Sequence, residues 1–367
     1  MLRAGIVGLP NVGKSTLFNA LTRSRKADAA NYPFCTIEPN VGMVAVPDPR
    51  LAPLAAMFRA ERIVPTAIEL VDIAGLVRGA AQGEGLGNRF LAHIREVDAI
   101  VEVVRCFEDR DVTHVEDELH PLSDIETIAT ELLLADMESL ARQKERLERT
   151  AKSGDKAARA QVDLAARLLA HLEAGKPAIT CPLAPEERAA ARPFFLLTAK
   201  PTLFACNVAE SDLARAEELA VVREVEHYAE THRGAEAVVI SAQIEAELAE
   251  LPAEEAREYL ASLGVAESGA DALIRAVYHL LGLRTFLTAG PNEARAWTIH
   301  AGDTAADAAG EIHSDFRRGF IRAETVHFDE LARLGSWNAA KEAGALRQEG
   351  RDYVVQDGDV MLFKFNV

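Results

Sequence analysis

Five short apolar runs, at residues 4–7, 66–71, 99–106, 201–206 and 237–240, punctuate the first two-thirds of the chain. Each is too short for a core helix and lacks polar alternation, which fits strands buried on both faces of a parallel sheet. The stretch 15–21 has helical spacing and follows the first run directly, giving a strand, loop and helix order. From Ser123 to about Ala199 that alternation stops. Leu132, Leu133, Leu140 and Leu147, then Val162, Leu164, Leu168 and Leu169, mark long helical periodicity, broken by Lys152-Ser153-Gly154-Asp155. The pattern predicts an antiparallel helical hairpin, 122–199, inserted into an α/β domain. Helical sequence at 270–281 leads to a last unit, 282–367. There strand-like stretches (294–300, 319–326, 353–355, 360–365) surround a helical one (304–312), and Asp357-Gly358-Asp359 signals a turn. That is a small α+β module with a mixed sheet.

A chain of 367 residues has room for two or three domains, and 49% hydrophobic with 26% charged residues reads as soluble and globular. The formal net charge of −17 repels phosphate at long range, so no DNA partner is expected and any RNA contact needs a local basic patch. No apolar run approaches the roughly 18 residues that span a bilayer. Met1-Leu2-Arg3 leads into a strand rather than a cleavable signal, so no membrane association and a cytoplasmic location are expected. Cys35, Cys106, Cys181 and Cys206 form neither a CxxC pair nor a zinc spacing, and reduced thiols are the default. Cys106 and Cys206, at strand ends, are expected to be buried. Cys35 adjoins a candidate switch loop and is the thiol to test for redox coupling, although an inert thiol is the simpler reading.

The loop after the first run is Gly8-Leu9-Pro10-Asn11-Val12-Gly13-Lys14-Ser15, followed by Thr16. This GxxxxGKS spacing between strand and helix is a phosphate loop: successive backbone N–H groups and the helix N-terminus surround phosphate, with glycine where a side chain would block approach. Asn11, Val12, Gly13, Lys14, Ser15 and Thr16 are the expected nucleotide contacts. Lys14 reaches the β and γ phosphates, and Ser15 is a ligand for Mg²⁺. The strand 66–71 ends in Asp72-Ile73-Ala74-Gly75, placing Asp72 at the Mg²⁺ and the Gly75 N–H at the γ phosphate. Between them lies Asn31-Tyr32-Pro33-Phe34-Cys35-Thr36-Ile37-Glu38-Pro39, where Thr36 would complete the metal shell in a first switch loop. The second switch contains Gly75, Gly79, Gly83, Gly85 and Gly87, a composition costly to order without ligand. Leu76 stands where signalling GTPases carry the glutamine that orients the attacking water, a task an aliphatic side chain cannot perform. His114 is the candidate replacement, with a solvated loop histidine as the alternative. Arg78 is a further source of transition-state charge, or an ordinary loop arginine. Asn11 occupies a position from which related GTPases ligate potassium, so K⁺ is a possible second ion.

After the fourth run comes Asn207-Val208-Ala209-Glu210, where GTPases place NKxD. The aspartate of NKxD accepts two hydrogen bonds from guanine. Glu210 is one methylene longer and crowds the base, while adenine offers no ring N–H there. Val208 removes the lysine stem that covers the base. Unpaired polar groups generate large discrimination, so guanine loses its advantage. Asn207 can bond the adenine edge, as can the turn Ser241-Ala242-Gln243 after the fifth run. ATP is the expected nucleotide.

In this order the motifs resemble those of the YchF family, the Obg-related ATPases, over the whole chain. The match is carried by residues 8–16, 31–40, 72–90 and 207–210 and by Asp315-Phe316-Arg317-Arg318-Gly319-Phe320-Ile321-Arg322-Ala323-Glu324. The resemblance implies an OBG-type α/β P-loop NTPase domain over 1–281, interrupted by a coiled-coil hairpin, and a β-grasp, ubiquitin-like TGS domain over 282–367. It also implies a Mg²⁺-dependent ATPase that tolerates GTP, associates with the ribosome and is linked to oxidative stress. A hydrophobic residue replaces the catalytic glutamine, matched by Leu76, and a loop histidine takes part in hydrolysis, matched by His114.

The hairpin tip carries Arg142, Lys144, Arg146, Arg149, Lys152, Lys156 and Arg159 against Glu145, Glu148 and Asp155. In an acidic chain this is a candidate contact to ribosomal RNA of the large subunit, with a solvated, ion-paired helical face as the alternative. Arg317, Arg318 and Arg322 are candidate contacts on the last domain. Two other functions remain open: a conventional GTPase switch, and an adaptor in which bound ATP is never turned over.

Overall fold

The computed structural model describes residues 2–24, 40–73, 86–108, 119–152, 155–233 and 235–366. These form two compact units, one built mainly from Met1–Ser24 and Glu69–Leu273, the other from Met43–Ile68 and Ile274–Val367.

The first sheet is predominantly parallel. Its strands are β1 (Arg3–Val7), β2 (Val41–Ala45), β4 (Ala67–Asp72), β5 (Ala99–Arg105), β6 (Thr202–Asn207) and β7 (Ala237–Ile240), in the order β2-β4-β1-β5-β6-β7. The edge strand β2 is drawn mostly from the segment Met43–Ile68. The pairs β1/β4, β1/β5, β5/β6 and β6/β7 are all parallel. Every residue of β5 and β6 is buried, which is why these strands read as continuous apolar runs. Parallel alignment brings the C-terminal ends of β1, β4, β6 and β7 to one edge of the sheet, the edge where α/β folds bind ligands.

The hairpin consists of the helices Pro121–Ala151 and Lys156–Glu173. Pro121 sits in the first turn, where its missing N–H leaves no helical hydrogen bond unmade. Asp155 starts the second helix by accepting hydrogen bonds from the Ala157 and Ala158 N–H groups at 2.8 and 3.2 Å. Leu140, Leu164, Leu168 and Leu172 share a core with Phe194 and Leu196, from the short helical turns that complete the insertion.

The second unit has its own mixed sheet. It adds β3 (Arg62–Val64), β8 (Leu283–Ala289), β9 (Glu293–His300), β10 (Phe320–His327), β11 (Arg347–Glu349) and β12 (Asp359–Phe365), ordered β11-β10-β12-β8-β9-β3. β8 and β9 are an antiparallel pair, β10 pairs antiparallel with β11 and β12, and β3 runs parallel to β9. Thr304 and Asp307 cap the helix Ala305–Ile312 reciprocally. The stretch 353–355, expected as a strand, contributes a single bridge from Val354 to Thr304.

This division differs from a boundary at 281/282 alone. The segment Met43–Ile68 clusters with the C-terminal residues because Leu51 and Leu54 of the helix Leu51–Phe58 complete the core formed by Leu287, Ala294, Val326 and Val360. Arg50 fastens the same segment. Its guanidinium donates to both carboxylate oxygens of Asp48 and to Asp357, each at 2.8 Å. Burial opposes the Arg50 charge, but the hydrogen bonds and charges of the two aspartates outweigh it, leaving the guanidinium more firmly protonated than usual.

Candidate nucleotide site

The phosphate loop leaves β1 and turns into the helix Lys14–Ser24. Its backbone passes through left-handed conformations at Gly8 (φ 154°), Asn11 (φ 64°) and Gly13 (φ 96°), and asparagine is among the few non-glycine residues that tolerate such a φ. A Cβ at Gly8 would lie 2.7 Å from the Val103 carbonyl oxygen, and one at Gly13 would collide with the Asn207 amide. Both glycines are therefore fixed by crowding as well as by backbone shape.

Lys14 is buried, and its ammonium donates to the Leu9 carbonyl at 3.2 Å. Burial lowers its pKa, and the charge of Asp72 partly opposes that shift. The Ser15 hydroxyl lies 3.3 Å from Asp72 Oδ2. The other oxygen, Asp72 Oδ1, is buried and has no hydrogen-bond partner among the described residues. An anionic oxygen left bare beside a serine hydroxyl and a lysine fits a divalent cation with oxygen ligands.

Asn207, the last residue of β6, is 4% exposed and has both ends of its amide engaged. Nδ2 donates to the Val12 carbonyl at 2.9 Å, and Oδ1 accepts from the Ala242 N–H at 2.9 Å. It therefore ties the phosphate loop to the turn after β7, a strut that the base-edge expectation did not include. In that turn Ala242 is buried, and the Ser241 hydroxyl is buried without a hydrogen-bond partner among the described residues. Glu245 anchors the helix that follows, accepting from the Ser268 hydroxyl at 2.8 Å and the Ala270 N–H at 3.2 Å.

Val208 belongs to the hydrophobic core with Phe204, Val222 and Val225 and is 2% exposed, so only its backbone is available to a base. Glu210 is exposed at the start of the short helix Glu210–Glu218. The Tyr259 hydroxyl lies 3.4 Å from Glu210 Oε1 and donates to Glu247 Oε2 at 2.9 Å. Glu247 as acceptor, with burial and the charge of Glu210, pushes the Tyr259 phenol up to about 12. Tyr259 and Glu247 were missed in the sequence, since no motif spacing links them to residue 210.

The structure thus brings together Asn11, Val12, Gly13, Lys14, Ser15, Thr16 and Asp72, and joins Asn207, Ser241 and Ala242 to them. Thr36, Gly75, Leu76, Arg78, His114 and Cys35 lie outside the described residues. Cys106, Cys181 and Cys206 are buried free thiols.

Residues 3–159 match a family described as a 50S ribosome-binding GTPase, and 283–366 match the YchF-GTPase C-terminal family, described as a protein of unknown function. The ribosome-binding ATPase YchF of Bacillus subtilis (strain 168) is 51% identical over 366 residues, with 100% of both chains covered. The chain belongs to the YchF family. The YchF protein of Escherichia coli O157:H7, also named a ribosome-binding ATPase, is 50% identical and covers 100% of this chain and 99% of its own. The solved structure of the Schizosaccharomyces pombe YchF GTPase superposes with a TM-score of 0.88 at 35% identity, covering 99% of this chain and 97% of that one. YchF relatives therefore carry both nucleotides in their names.

Proposed function

We propose that this YchF-family chain hydrolyses ATP, accepts GTP less well and binds the ribosome as a nucleotide-dependent switch in translation and stress. The observation that carries the reading is Glu210. It follows the strand that positions Asn207, has the wrong length for guanine, and stands at the surface while the Val208 side chain is withdrawn into the core. Relatives at half identity over their whole length are named ribosome-binding ATPases.

Lys14 and the amides of the loop hold the β and γ phosphates as charge develops in the transition state. Ser15 and Asp72, with Thr36, would hold Mg²⁺, which supplies charge neutralisation between the phosphates when bound. The buried, unpartnered Asp72 Oδ1 supports this assignment. His114 takes the proton of the attacking water, replacing the glutamine that Leu76 displaces, and the Gly75 N–H reports the γ phosphate. Asn11 would hold a K⁺ ion, which when bound would add positive charge beside the phosphates; equal rates in K⁺ and Na⁺ would remove that ion from the mechanism.

Ribosome contact is assigned to the hairpin tip and to the C-terminal unit, whose mixed sheet supports the TGS reading. Arg142, Lys144 and Arg149 are held in pairs one turn apart with Glu138, Glu148 and Glu145. Arg146, Lys152, Lys156 and Arg159 are exposed and make no ion pair among the described residues. Arg317 and Arg318 are paired at 2.7 Å with Asp307 and Asp315, which leaves Arg322 the better phosphate contact of the three. No helix among the described residues is long and apolar enough to cross a membrane, and a cytoplasmic site of action fits a ribosome partner.

Competition between ATP and GTP for the purified chain tests the nucleotide. Tighter GTP binding would overturn the role of Glu210, and Glu210→Asp is expected to shift preference toward guanine. Lysine at 208 is not a usable companion change, because it would place an ammonium in the core.

A further inference from the structure

The first sheet carries a second cleft at the end of its parallel strands opposite the phosphate loop. Asp98, just before β5, and Pro201, just before β6, mark its mouth, whereas the nucleotide loops leave the C-terminal ends of the strands. The cavity measures about 600 Å³, within the range of ligand pockets. Leu168, Cys181 and Leu196 line it and are buried, so its floor is apolar, mostly aliphatic with one thiol. On its rim stand two large apolar side chains in solvent, Ile179 (37% exposed) and Phe195 (70% exposed).

Phe195 is held there against its own preference. Its backbone is left-handed (φ 51°, ψ 45°), a region that a bulky residue avoids. The surrounding segment is fixed by buried polar groups. The Asp136 carboxylate, 1% exposed, accepts from the Leu197 and Thr198 N–H groups at 2.8 Å and from the Thr198 hydroxyl at 2.7 Å. Gln143 donates to the Phe194 carbonyl at 3.1 Å. A buried network that pins an exposed aromatic in a strained conformation is the arrangement found where strain serves recognition.

The charges around the cleft run against the rest of the chain. Arg188, Arg192 and Lys200 line it with Asp98 alone in opposition, in a protein of net charge −17. Lys200 is engaged with the carbonyls of Arg95 and Val97. Arg188 and Arg192 have no carboxylate partner among the described residues, and the nearby Glu187 is taken by Arg167. An apolar floor offers nothing to the polar edges of a nucleobase, which argues against RNA here. It suits leucine or phenylalanine, and the arginines suit carboxylates.

We propose that this cleft docks an acidic segment of a partner protein, which inserts an aliphatic or aromatic side chain beside Phe195 and sets carboxylates against Arg188 and Arg192. The test is selection of a random peptide display library on the full chain, with counter-selection on the Arg188→Glu/Arg192→Glu variant. The expected peptides carry leucine, phenylalanine or tryptophan flanked by aspartate or glutamate. A fluorescein-labelled selected peptide should bind at least tenfold more weakly to the charge-reversed variant, and more weakly in 500 mM than in 50 mM NaCl. Phe195→Gly separates recognition from folding: glycine relieves the left-handed strain, so the thermal midpoint should hold or rise while peptide affinity falls about tenfold. A basic consensus, no peptides that distinguish the variant, or unchanged affinity in Phe195→Gly would overturn the proposal. So would tighter binding of a labelled oligouridylate than of the peptide, if it were lost in the same variants.

Discussion

Replacing Asn207 with alanine removes two buried hydrogen bonds at once, the one to the Val12 carbonyl and the one from the Ala242 N–H, both 2.9 Å. Each backbone group left behind loses its partner without gaining water. An unsatisfied buried group costs about 1–3 kcal/mol, so its local opening should become about 5- to 150-fold more frequent. Tryptophan fluorescence is the wrong assay, because Trp297 and Trp337 both lie in the second unit. Amide hydrogen exchange reads the site directly: without nucleotide, the Ala242 amide in Asn207→Ala should exchange faster than wild type by a factor in that range, while the amides of β5 stay unchanged. Asn207→Asp divides the two bonds. A carboxylate still accepts from Ala242 but cannot donate to Val12, so protection at Ala242 should persist while the phosphate loop loosens. An Ala242 amide that exchanges at the wild-type rate in Asn207→Ala would refute the strut. If ATP affinity fell in the same variant, Asn207 would be a base contact and nothing more.

Two further outcomes follow from buried charge. Arg50→Met strips the cation from Asp48, whose side chain is only 7% exposed, and should destabilise the second unit by about 2–4 kcal/mol, read from tryptophan fluorescence in urea; a loss below about 0.5 kcal/mol, the scatter of ordinary surface changes, would show that the helix Leu51–Phe58 needs no ionic anchor. Burial raises the Glu245 pKa against the pull of its hydrogen bonds to Ser268 and Ala270. The folded chain therefore holds this proton after the unfolded chain has released it, and stability falls as pH rises from about 4.3 through the raised value. Glu245→Gln keeps an acceptor for the Ala270 N–H and replaces the acceptor for Ser268 with an amide N–H that donates to the serine oxygen, so it should flatten that part of the urea midpoint against pH and leave the protein as stable or more stable at pH 7. An unchanged slope would assign the pH dependence to other carboxylates.

The parts of the fold legible in the sequence were those whose partners lie nearby or whose burial is uniform. β5 and β6, buried along their whole length, could be read from composition alone, and the hairpin announced itself through the leucine spacing and the break at Lys152-Ser153-Gly154-Asp155. Met43–Ile68 could not be assigned, since Leu51 and Leu54 find their core more than two hundred residues away at Leu287, Ala294 and Val326. Asp357 was visible as a turn residue, but its service to Arg50 and to the Thr285 N–H depends on contacts that no local pattern encodes.

The nucleotide site divides in the same manner, with a consequence for how specificity can change. The shape of the loop was readable because backbone geometry demands fixed spacing, and Gly8, Gly13, Lys14 and Ser15 meet that demand within one loop. The base side was readable only in outline. Val208 turned out to be core, and Asn207 spends its amide on Val12 and Ala242, so any substitution at either position disturbs packing or the phosphate loop before it alters base choice. Glu210 carries no such burden. It is exposed, begins a short helix, and touches the rest of the site through the Tyr259 hydroxyl. A residue so lightly coupled could change which base is preferred while the phosphate loop stays intact, which under the proposed function would account for a GTPase-type loop beside a base site that accepts adenine.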